Sequence, residues 1–167
     1  LNNSSYFLPY LSGERTPHND PHIRGSFHSI KTTTDATNMQ YAVIEGISFG
    51  ILDGVNSILK INNDFEKIFM VGGGSKSSFW IKLIASLLNR NLNVCNQSEF
   101  SASLGVSRLA MFAKSNNLKA SDIIKEIKVN KIYKPNEDKI NILKKRYEIW
   151  KNIYSENKNL NKNILSI

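Results

Sequence analysis

The sequence predicts an α/β fold, and three observations support this class. Residues 67–71 form a short apolar run rich in strand formers, three consecutive glycines follow it, and an amphipathic helix pattern begins near Ser77. A second short strand pattern lies at residues 92–95, and a further helix pattern lies at residues 102–114. Together with a long helix before them, these segments are typical of a βαβ unit with parallel strands and a right-handed crossover.

The three glycines, Gly72, Gly73 and Gly74, mark the best candidate for a binding site. A strand, a glycine turn and a helix start bring backbone N–H groups and the positive end of the helix dipole to one point, where an anion can bind. Glycine also tolerates positive φ angles and lets a ligand approach the backbone closely. Ser75, Ser77 and Ser78 are candidate N-caps for the helix that follows. The alternative is a tight β–α turn that binds nothing.

The segment V-G-G-G-S-K-S-S does not match two common phosphate-binding motifs. A P-loop requires a glycine directly before its Lys-Ser pair, and Ser75 precedes Lys76 here. A dinucleotide-binding fingerprint requires a third glycine where Ser77 stands, and the nearest acid, Glu99, lies beyond the next strand. A nicotinamide-dependent Rossmann enzyme is therefore left only as an alternative.

The chain before the glycines predicts an extended loop, a short strand at residues 26–31 and then a long helix. Prolines and glycines exclude a long helix from residues 6–25. A metal site at His18, Asp20 and His22 is not predicted, because the prolines keep these residues off one helical face and no matching ligand follows. We expect the histidines and arginines of this loop to fix backbone carbonyl groups instead.

The long helix should begin after the N-cap Asp35 and run to about residue 60. Gly46, Gly50 and Gly54 recur in it every four residues, and each costs about 1 kcal/mol relative to alanine. Close approach of another element to this face would offset that cost; alternatively, a buried helix merely tolerates them. No apolar run is expected to reach the length of a membrane span.

The remainder of the chain predicts mostly helix. A short helix is expected at residues 120–127, an extended segment at residues 133–135, and an amphipathic helix from residue 136 to about residue 154. Residues 156–167 are polar and weakly patterned, so we expect a frayed tail there. Residues 1–155 then form the domain.

Charge and cysteine content restrict the classes of function. The net charge is +8, from 22 Lys and Arg against 14 Asp and Glu. Most basic residues are lysines spread along the chain without an arginine cluster among aromatics, so neither a nucleic-acid partner nor a membrane partner is predicted. The single cysteine, Cys95, permits no internal disulfide, and a cytoplasmic location is expected.

Beyond these local patterns, residues 7–154 resemble the C-terminal part of the FGGY family of carbohydrate kinases. Residues 7–18, F-L-P-Y-L-S-G-E-R-T-P-H, are similar to a loop typical of the xylulose kinases in that family. Residues 27–46, which end in A-V-I-E-G, are similar to its second signature region, and residues 71–77 resemble its nucleotide loop. Further similarity lies at Trp80, Ala85, Leu104, Gly105, Arg108, Leu109, Ala110, Tyr133, Pro135, Tyr147, Trp150 and Tyr154.

This resemblance implies an incomplete RNase-H-like domain of the actin-like ATPase fold, in which ATP lies between two α/β domains. It implies a kinase that uses ATP and Mg²⁺ to convert D-xylulose to D-xylulose 5-phosphate. Gly72, Gly73 and Gly74 would face the nucleotide, and Ser77 would lie near the ribose or adenine. The catalytic aspartate, the Mg²⁺ ligands and most sugar contacts would lie upstream of Leu1, so the chain reads as an inactive part of a longer protein.

The chain departs from the family pattern at a few positions. Ser29 replaces a usual glycine, Lys82 and Ser86 replace a usual glutamine and aspartate, and residues 101–103 replace a usual Gly-Pro-Ala. Glu45 is expected to fix a loop or helix end rather than to act in catalysis. A non-catalytic, sugar-responsive regulator on the same scaffold stays open as an alternative, and so does the oligomeric state, with a homodimer among the options.

Overall fold

A computed structural model describes residues 3–61, 65, 67–96, 98–115, 119–123 and 128–164, and all structural statements concern these residues. The elements form two small sheets and a set of packed helices. The strands are β1 (Tyr6–Leu8), β2 (Ser26–His28), β3 (Ile68–Phe69), β4 (Leu92–Cys95) and β5 (Val129–Tyr133). The helices are α1 (Ala36–Leu59), α2 (Ser78–Leu88), α3 (Ser101–Lys114), α4 (Ala120–Ile123) and α5 (Glu137–Ile164), and 3₁₀ turns lie at Gly73–Lys76 and Ser98–Phe100.

The larger sheet has the strand order β3-β4-β5. β3 and β4 are parallel and are joined through α2, which confirms the predicted βαβ unit. β5 pairs antiparallel with β4, and only its last residue, Tyr133, falls within the extended segment predicted at residues 133–135. One face of the sheet, through Ile68, Leu92 and Tyr133, packs against Ile81 and Ile84 of α2.

β1 and β2 form an antiparallel pair that packs against α1. The extended loop predicted at residues 6–25 thus begins with a short strand, β1, which has too few residues to show a strand period. A Cβ atom at Gly46 would lie only 2.1 Å from the carbonyl oxygen of Phe7, which confirms the predicted close approach there. Gly50 makes only ordinary contacts, and Gly54 has no neighbour within 4 Å of a Cβ position.

Helix α1 begins and ends close to the predicted residues, and the Asp35 side chain accepts a hydrogen bond of 2.7 Å from the backbone N–H of Asn38. By length and composition α1 could cross a membrane, so the expectation that no apolar run is long enough is wrong. The helix nevertheless packs on β1, α2 and α5, with Phe49 fully buried. Core packing accounts for part of its apolar surface, whereas Ile47, Ile51 and Ile58 stay exposed.

Arg146 of α5 joins three parts of the fold in a buried polar cluster. Its guanidinium donates hydrogen bonds to both carboxylate oxygens of Glu45 at 2.7 and 2.6 Å. It also donates to the carbonyl oxygens of Asn3 at 2.6 Å and Ser5 at 3.1 Å. Glu45 therefore pairs two helix interiors rather than fixing a loop or helix end itself, and it is Arg146 that binds the segment before β1.

Helix α5 continues to Ile164, so the predicted end near residue 154 is wrong. The side chain of Asn157 is buried and donates to the hydroxyl of Ser26, and that of Asn161 donates to the carbonyl oxygen of Asn157 at 2.9 Å. Polar side chains thus pack this part of the helix, which hydropathy alone does not reveal. The division into a domain at residues 1–155 and a tail at residues 156–167 stays a prediction.

The short helix after α3 is found at Ala120–Ile123. The remainder of the predicted helix, residues 124–127, lies outside the described residues.

Candidate functional site

The candidate site is built around the glycine turn, residues 72–77, which connects β3 to α2. Gly72 has φ 77° and ψ −168°, a backbone conformation that essentially only glycine adopts. Its carbonyl oxygen accepts hydrogen bonds from the backbone N–H of Ser75 at 3.1 Å and from the Ser75 hydroxyl at 2.7 Å. These bonds fix the turn without any ligand.

The three glycines have different surroundings. No heavy atom lies within 4 Å of a Cβ position on Gly72 or on Gly73, so both present open backbone surface. A Cβ atom on Gly74 would lie 2.7 Å from the ring of Trp80 and 3.0 Å from Met70. Of the predicted ligand-facing glycines, two can therefore be approached on the side a Cβ would occupy, whereas Gly74 is required for packing.

Trp80 is held in place from helix α1. Its indole N–H donates to the hydroxyl of Ser48 at 2.8 Å, and that hydroxyl donates to the carbonyl oxygen of Ile44 at 2.7 Å. Ser48 is buried, and the sequence offered no signal for its role because the contact spans two helices. The Trp80 ring is thus hydrogen-bonded to α1 on one side and packs against Gly74 of the glycine turn on the other, so it fixes the turn relative to α1.

Ser77 caps α2, as one of the predicted N-cap candidates. Its hydroxyl oxygen accepts a hydrogen bond of 3.3 Å from the backbone N–H of Trp80, and its own N–H donates to the carbonyl oxygen of Gly74 at 3.1 Å. The hydroxyl proton is not used by the cap and can be donated to a ligand. The predicted contact of Ser77 with a ribose or adenine stays a prediction.

The 3₁₀ turn after β4, Ser98–Phe100, lies against the glycine turn. The N–H of Gly72 donates to the carbonyl oxygen of Ser98 at 2.9 Å, and Lys76 Nζ lies 3.4 Å from Glu99 Oε1. A hydrogen bond from its own backbone N–H and the nearby Lys76 hold the pKa of Glu99 below its ordinary value. Ligands of open α/β sheets bind outside the carboxyl ends of parallel strands, and both turns lie at the carboxyl ends of β3 and β4.

Both acidic residues of α1, Glu45 and Asp53, are engaged by other buried side chains. Asp53 accepts a hydrogen bond from the Tyr147 hydroxyl and lies 3.4 Å from His18 Nε2. Glu45 is paired with Arg146. The glycine turn itself therefore offers backbone N–H groups, hydroxyls and one lysine, and the carboxylate beside it, Glu99, is paired with that lysine.

The loop before β2 is held by its own polar side chains. The Asp20 carboxylate accepts hydrogen bonds from the backbone N–H groups of His22 at 3.0 Å and Ile23 at 3.1 Å. His18 stacks on Tyr154 with ring centroids 3.7 Å apart, and the described residues include no group of three or more His, Cys, Asp or Glu that could hold a metal ion. Arg24 donates to the carbonyl oxygen of Pro21 at 2.8 Å, which confirms for this arginine that loop side chains fix carbonyl groups.

Two departures from the family pattern have local explanations. The Ser86 hydroxyl is buried, donates to the carbonyl oxygen of Lys82 at 2.7 Å and accepts from the backbone N–H of Asn136 at 2.9 Å. Ser86 thereby links α2 to the start of α5. The Ser101 hydroxyl donates to the carbonyl oxygen of Ser98 at 2.6 Å and fixes the start of α3.

The chain was compared with known proteins. Residues 1–114 match the family described as FGGY family of carbohydrate kinases, C-terminal domain. A xylulose kinase from Staphylococcus epidermidis is 32% identical over 166 residues, which are 99% of this chain and 33% of that protein. The chain thus spans about a third of the length of the curated relatives it matches.

The solved structures that resemble this chain include sugar kinases as well. The crystal structure of a xyloylose kinase from Brucella ovis matches with a TM-score of 0.82 and 32% identity, covering 94% of this chain and 32% of that chain. A gluconate kinase from Lactobacillus acidophilus matches with a TM-score of 0.72 and 30% identity, covering 92% and 31%. These likenesses confirm the predicted fold class, part of an actin-like ATPase fold, and give no support to a Rossmann enzyme or a regulator.

Proposed function

The chain belongs to the FGGY family of carbohydrate kinases, and from this premise we propose that it is the nucleotide-binding part of an ATP-dependent sugar kinase. The proposed reaction is phosphorylation of D-xylulose to D-xylulose 5-phosphate, and the proposed location is the cytoplasm. Relatives named xylulose kinase among the curated proteins support this sugar. The observation that carries the nucleotide role is the open backbone of Gly72 and Gly73 at the carboxyl ends of β3 and β4.

In this proposal the nucleoside end of ATP lies on the glycine turn. Gly72 and Gly73 have no side chains to obstruct a flat ring or a ribose, and the first N–H groups of the 3₁₀ turn have no acceptor within the turn. The Ser77 hydroxyl can donate to the nucleoside, and the N-terminal end of α2 favours a negative charge nearby. Gly74 contributes by letting Trp80 pack beneath the turn.

Phosphoryl transfer requires catalytic groups that we do not assign to this chain. A base for the sugar hydroxyl, ligands for Mg²⁺ and donors to the γ-phosphate are required. Glu45 and Asp53 are engaged in the core, so we assign these tasks, with most contacts to the sugar, to the part of the kinase outside this chain. ATP, when bound, supplies the phosphoryl group, and this chain binds and orients its nucleoside.

Substitution of Gly73 by valine tests the nucleotide site. Because nothing lies within 4 Å of a Cβ at this position, Gly73→Val should leave the thermal midpoint nearly unchanged. The added side chain would occupy the ligand surface, and we expect ATP and ADP binding, measured by isothermal titration calorimetry, to weaken at least tenfold. Gly54→Val, also at an open position but on α1, is the matched control. Equal affinity of Gly73→Val and the unchanged chain for ATP would exclude the proposed placement.

The sugar is tested on the full-length kinase that contains this chain. We expect phosphorylation of D-xylulose with a higher kcat/KM than of D-gluconate or glycerol. A preference for D-gluconate would replace the proposed substrate but leave the nucleotide site intact. Robust phosphorylation of D-xylulose by the 167-residue chain alone would contradict the assignment of the catalytic groups to another part of the kinase.

A further inference from the structure

We propose that Ser48 of helix α1 is a positioning residue for the nucleotide, acting through Trp80 on the glycine turn. This rests on the proposed nucleotide role of Gly72 and Gly73, and it adds a residue of another helix that lies buried in the core. The contacts run from Ser48 to the Trp80 indole, from the indole to Gly74, and from there to the rest of the turn.

The hydroxyl of Ser48 is fixed at both its proton and its oxygen. Its proton is donated to the carbonyl oxygen of Ile44 at 2.7 Å, and its oxygen accepts the indole N–H of Trp80 at 2.8 Å. A hydroxyl has one proton and an indole N–H can only donate, so neither bond can reverse its direction. Ser48 is 1% exposed, so the indole finds this acceptor inside the protein rather than in solvent.

The Trp80 ring connects this bond to the glycine turn. Its nitrogen-bearing edge faces Ser48, and its six-membered ring contacts Gly74, where an added Cβ would lie 2.7 Å from Cζ3 and 3.1 Å from Cε3. The ring also packs against both hydrophobic clusters of the fold, but it is only partly buried. Apolar contacts have no preferred direction whereas a hydrogen bond does, so the bond to Ser48 selects the orientation of the ring.

A change in the orientation of this ring would move the groups that are proposed to contact the nucleotide. Gly74 directly follows Gly73, and its carbonyl oxygen accepts the N–H of Ser77 at 3.1 Å. The backbone N–H of Trp80 in turn donates to the hydroxyl oxygen of Ser77 at 3.3 Å. The ring, the turn and the helix cap are therefore linked to one another. Binding groups keep their geometry only when the residues that support them are themselves fixed.

Helix α1 provides a fixed reference for these groups. Three residues before Ser48, Glu45 forms the buried pair with Arg146. The neighbouring Gly46 lies against the carbonyl group of Phe7 in β1. The part of α1 that carries Ser48 is thus held by α5 and β1 as well as by α2, and it can hold a partly exposed ring in one position.

The test measures nucleotide affinity of Ser48→Ala in the full-length kinase that contains this chain. We expect ADP binding, measured by isothermal titration calorimetry, to weaken by roughly fivefold, the scale of one lost hydrogen bond. The KM for ATP should rise by the same factor, whereas kcat and the KM for the sugar should stay within about twofold, because the lost bond serves nucleotide binding.

Ser57→Ala is the matched control for this substitution. The Ser57 hydroxyl makes the same type of bond, to the carbonyl oxygen of Asp53 at 3.0 Å, but in the last turn of α1. Its removal should change neither the ADP affinity nor the kinetic constants.

A second pair of variants shows whether Ser48 acts through Trp80. Trp80→Phe keeps an aromatic ring beside Gly74 but removes the indole N–H, so it should also weaken ADP binding. The double variant Ser48→Ala with Trp80→Phe should bind ADP as well as Trp80→Phe alone, because both changes remove the same bond. Additive losses would assign Ser48 a different role and overturn the proposal.

The outcomes separate the positioning role from the nucleotide site on which it depends. Unchanged ADP affinity in Ser48→Ala, together with weakened binding in Gly73→Val, would overturn the positioning role and leave the nucleotide site intact. Unchanged affinity in both variants would remove both. A fall in kcat with a rise in both KM values after Ser48→Ala would indicate a general structural defect, which also overturns a role specific to the nucleotide.

Discussion

Ser29 has a positive φ of 57°, in the left-handed region that glycine adopts most readily. Such a conformation costs a residue with a side chain roughly 1–2 kcal/mol. The position is one at which the sequence departs from a glycine usual in the family, and the backbone has kept the conformation that glycine favours. The serine therefore carries local strain that a relative with glycine avoids.

Restoring glycine at this position should stabilise the protein. We expect Ser29→Gly to raise the free energy of unfolding by about 1 kcal/mol, measured by urea denaturation, because relief of strain exceeds the entropy that glycine adds to the unfolded chain. Ser12→Gly, in the exposed loop and without a positive φ, is the control and should be neutral or destabilising. A loss of stability in Ser29→Gly would contradict the assignment of strain.

Gly74 should be sensitive to substitution for a reason unrelated to ligands. Gly74→Ala brings a methyl group against Trp80 and Met70, and overpacking of this kind costs typically about 1–3 kcal/mol. Gly73→Ala, with no neighbour within 4 Å, should leave the free energy of unfolding nearly unchanged. Thermal denaturation of the two variants checks this difference. Equal effects would mean that the Trp80 ring does not constrain the turn.

The different roles of the three glycines were beyond prediction from the sequence. The pattern strand, glycines, helix predicted where the turn lies and that Ser77 is a candidate cap, because both depend on residues close in sequence. That Gly74 supports Trp80, and that Trp80 is held by Ser48, depends on a contact across 32 residues. Local patterns contain no information about such a contact.

Among the elements, α1 and α5 depend on the buried pair of Glu45 and Arg146. Burial alone would lower the pKa of Arg146, but the hydrogen bonds and the charge of Glu45 raise it above its ordinary value. The guanidinium also holds the carbonyl oxygens of Asn3 and Ser5, so the segment before β1 depends on the same group.

Removing one partner of this pair should be costly. Arg146→Met leaves the Glu45 carboxylate buried without its counter-charge, and we expect a loss of about 3–5 kcal/mol in the free energy of unfolding. The double variant Glu45→Met with Arg146→Met should recover much of this loss, because no isolated charge is left. A double-mutant cycle by chemical denaturation measures the coupling, and additive losses would contradict it.

The loop before β2 should make the stability depend on pH through Asp20. Burial would raise its pKa, but hydrogen bonds from the backbone of His22 and Ile23 and from the Tyr154 hydroxyl hold it below the ordinary value of 3.8. A carboxylate with a depressed pKa in the folded state stabilises above its unfolded pKa, and this stabilisation is lost as the pH falls through the folded value.

Asp20→Asn should therefore lower the free energy of unfolding at pH 7 by about 1.5–3 kcal/mol, the usual contribution of hydrogen bonds to a charged group. The difference from the unchanged chain should shrink below pH 4. Urea denaturation at several pH values measures it, with Asp138→Asn at the exposed start of α5 as the control. A difference that stays constant from pH 7 to pH 3 would show that the charge is not involved.

Among the secondary-structure elements, the sequence predicted long helices better than short strands. The bounds of α1 followed from a strong cap and from apolar spacing over 24 residues. β2 lies within the short strand expected at residues 26–31, but β1 has only three residues, too few to show alternation. The pairing of the two strands joins segments about twenty residues apart, which local patterns do not reveal. The last part of α5 was missed because Asn157 and Asn161 pack through hydrogen bonds rather than apolar contacts.

For the whole molecule, the predicted α/β class and parallel pairing were correct, and the resemblance to the FGGY family carried more information than any local pattern. Composition also suggested an ordinary folded domain. It could not reveal that the apolar residues are distributed unevenly between buried and exposed elements. Helices α1, α2 and α5 enclose the core, whereas α3 has none of its residues in it.

This imbalance predicts unequal protection against hydrogen exchange. Backbone amides open locally with free energies that reflect how many buried contacts hold an element, and α3 has few. We expect the amides of α3 to exchange at least ~100-fold faster than those of α2 and of the central part of α5, measured by mass spectrometry of the free chain. Full protection of α3 in the free chain would mean that the helix is already packed, and the unequal stability would have to be abandoned.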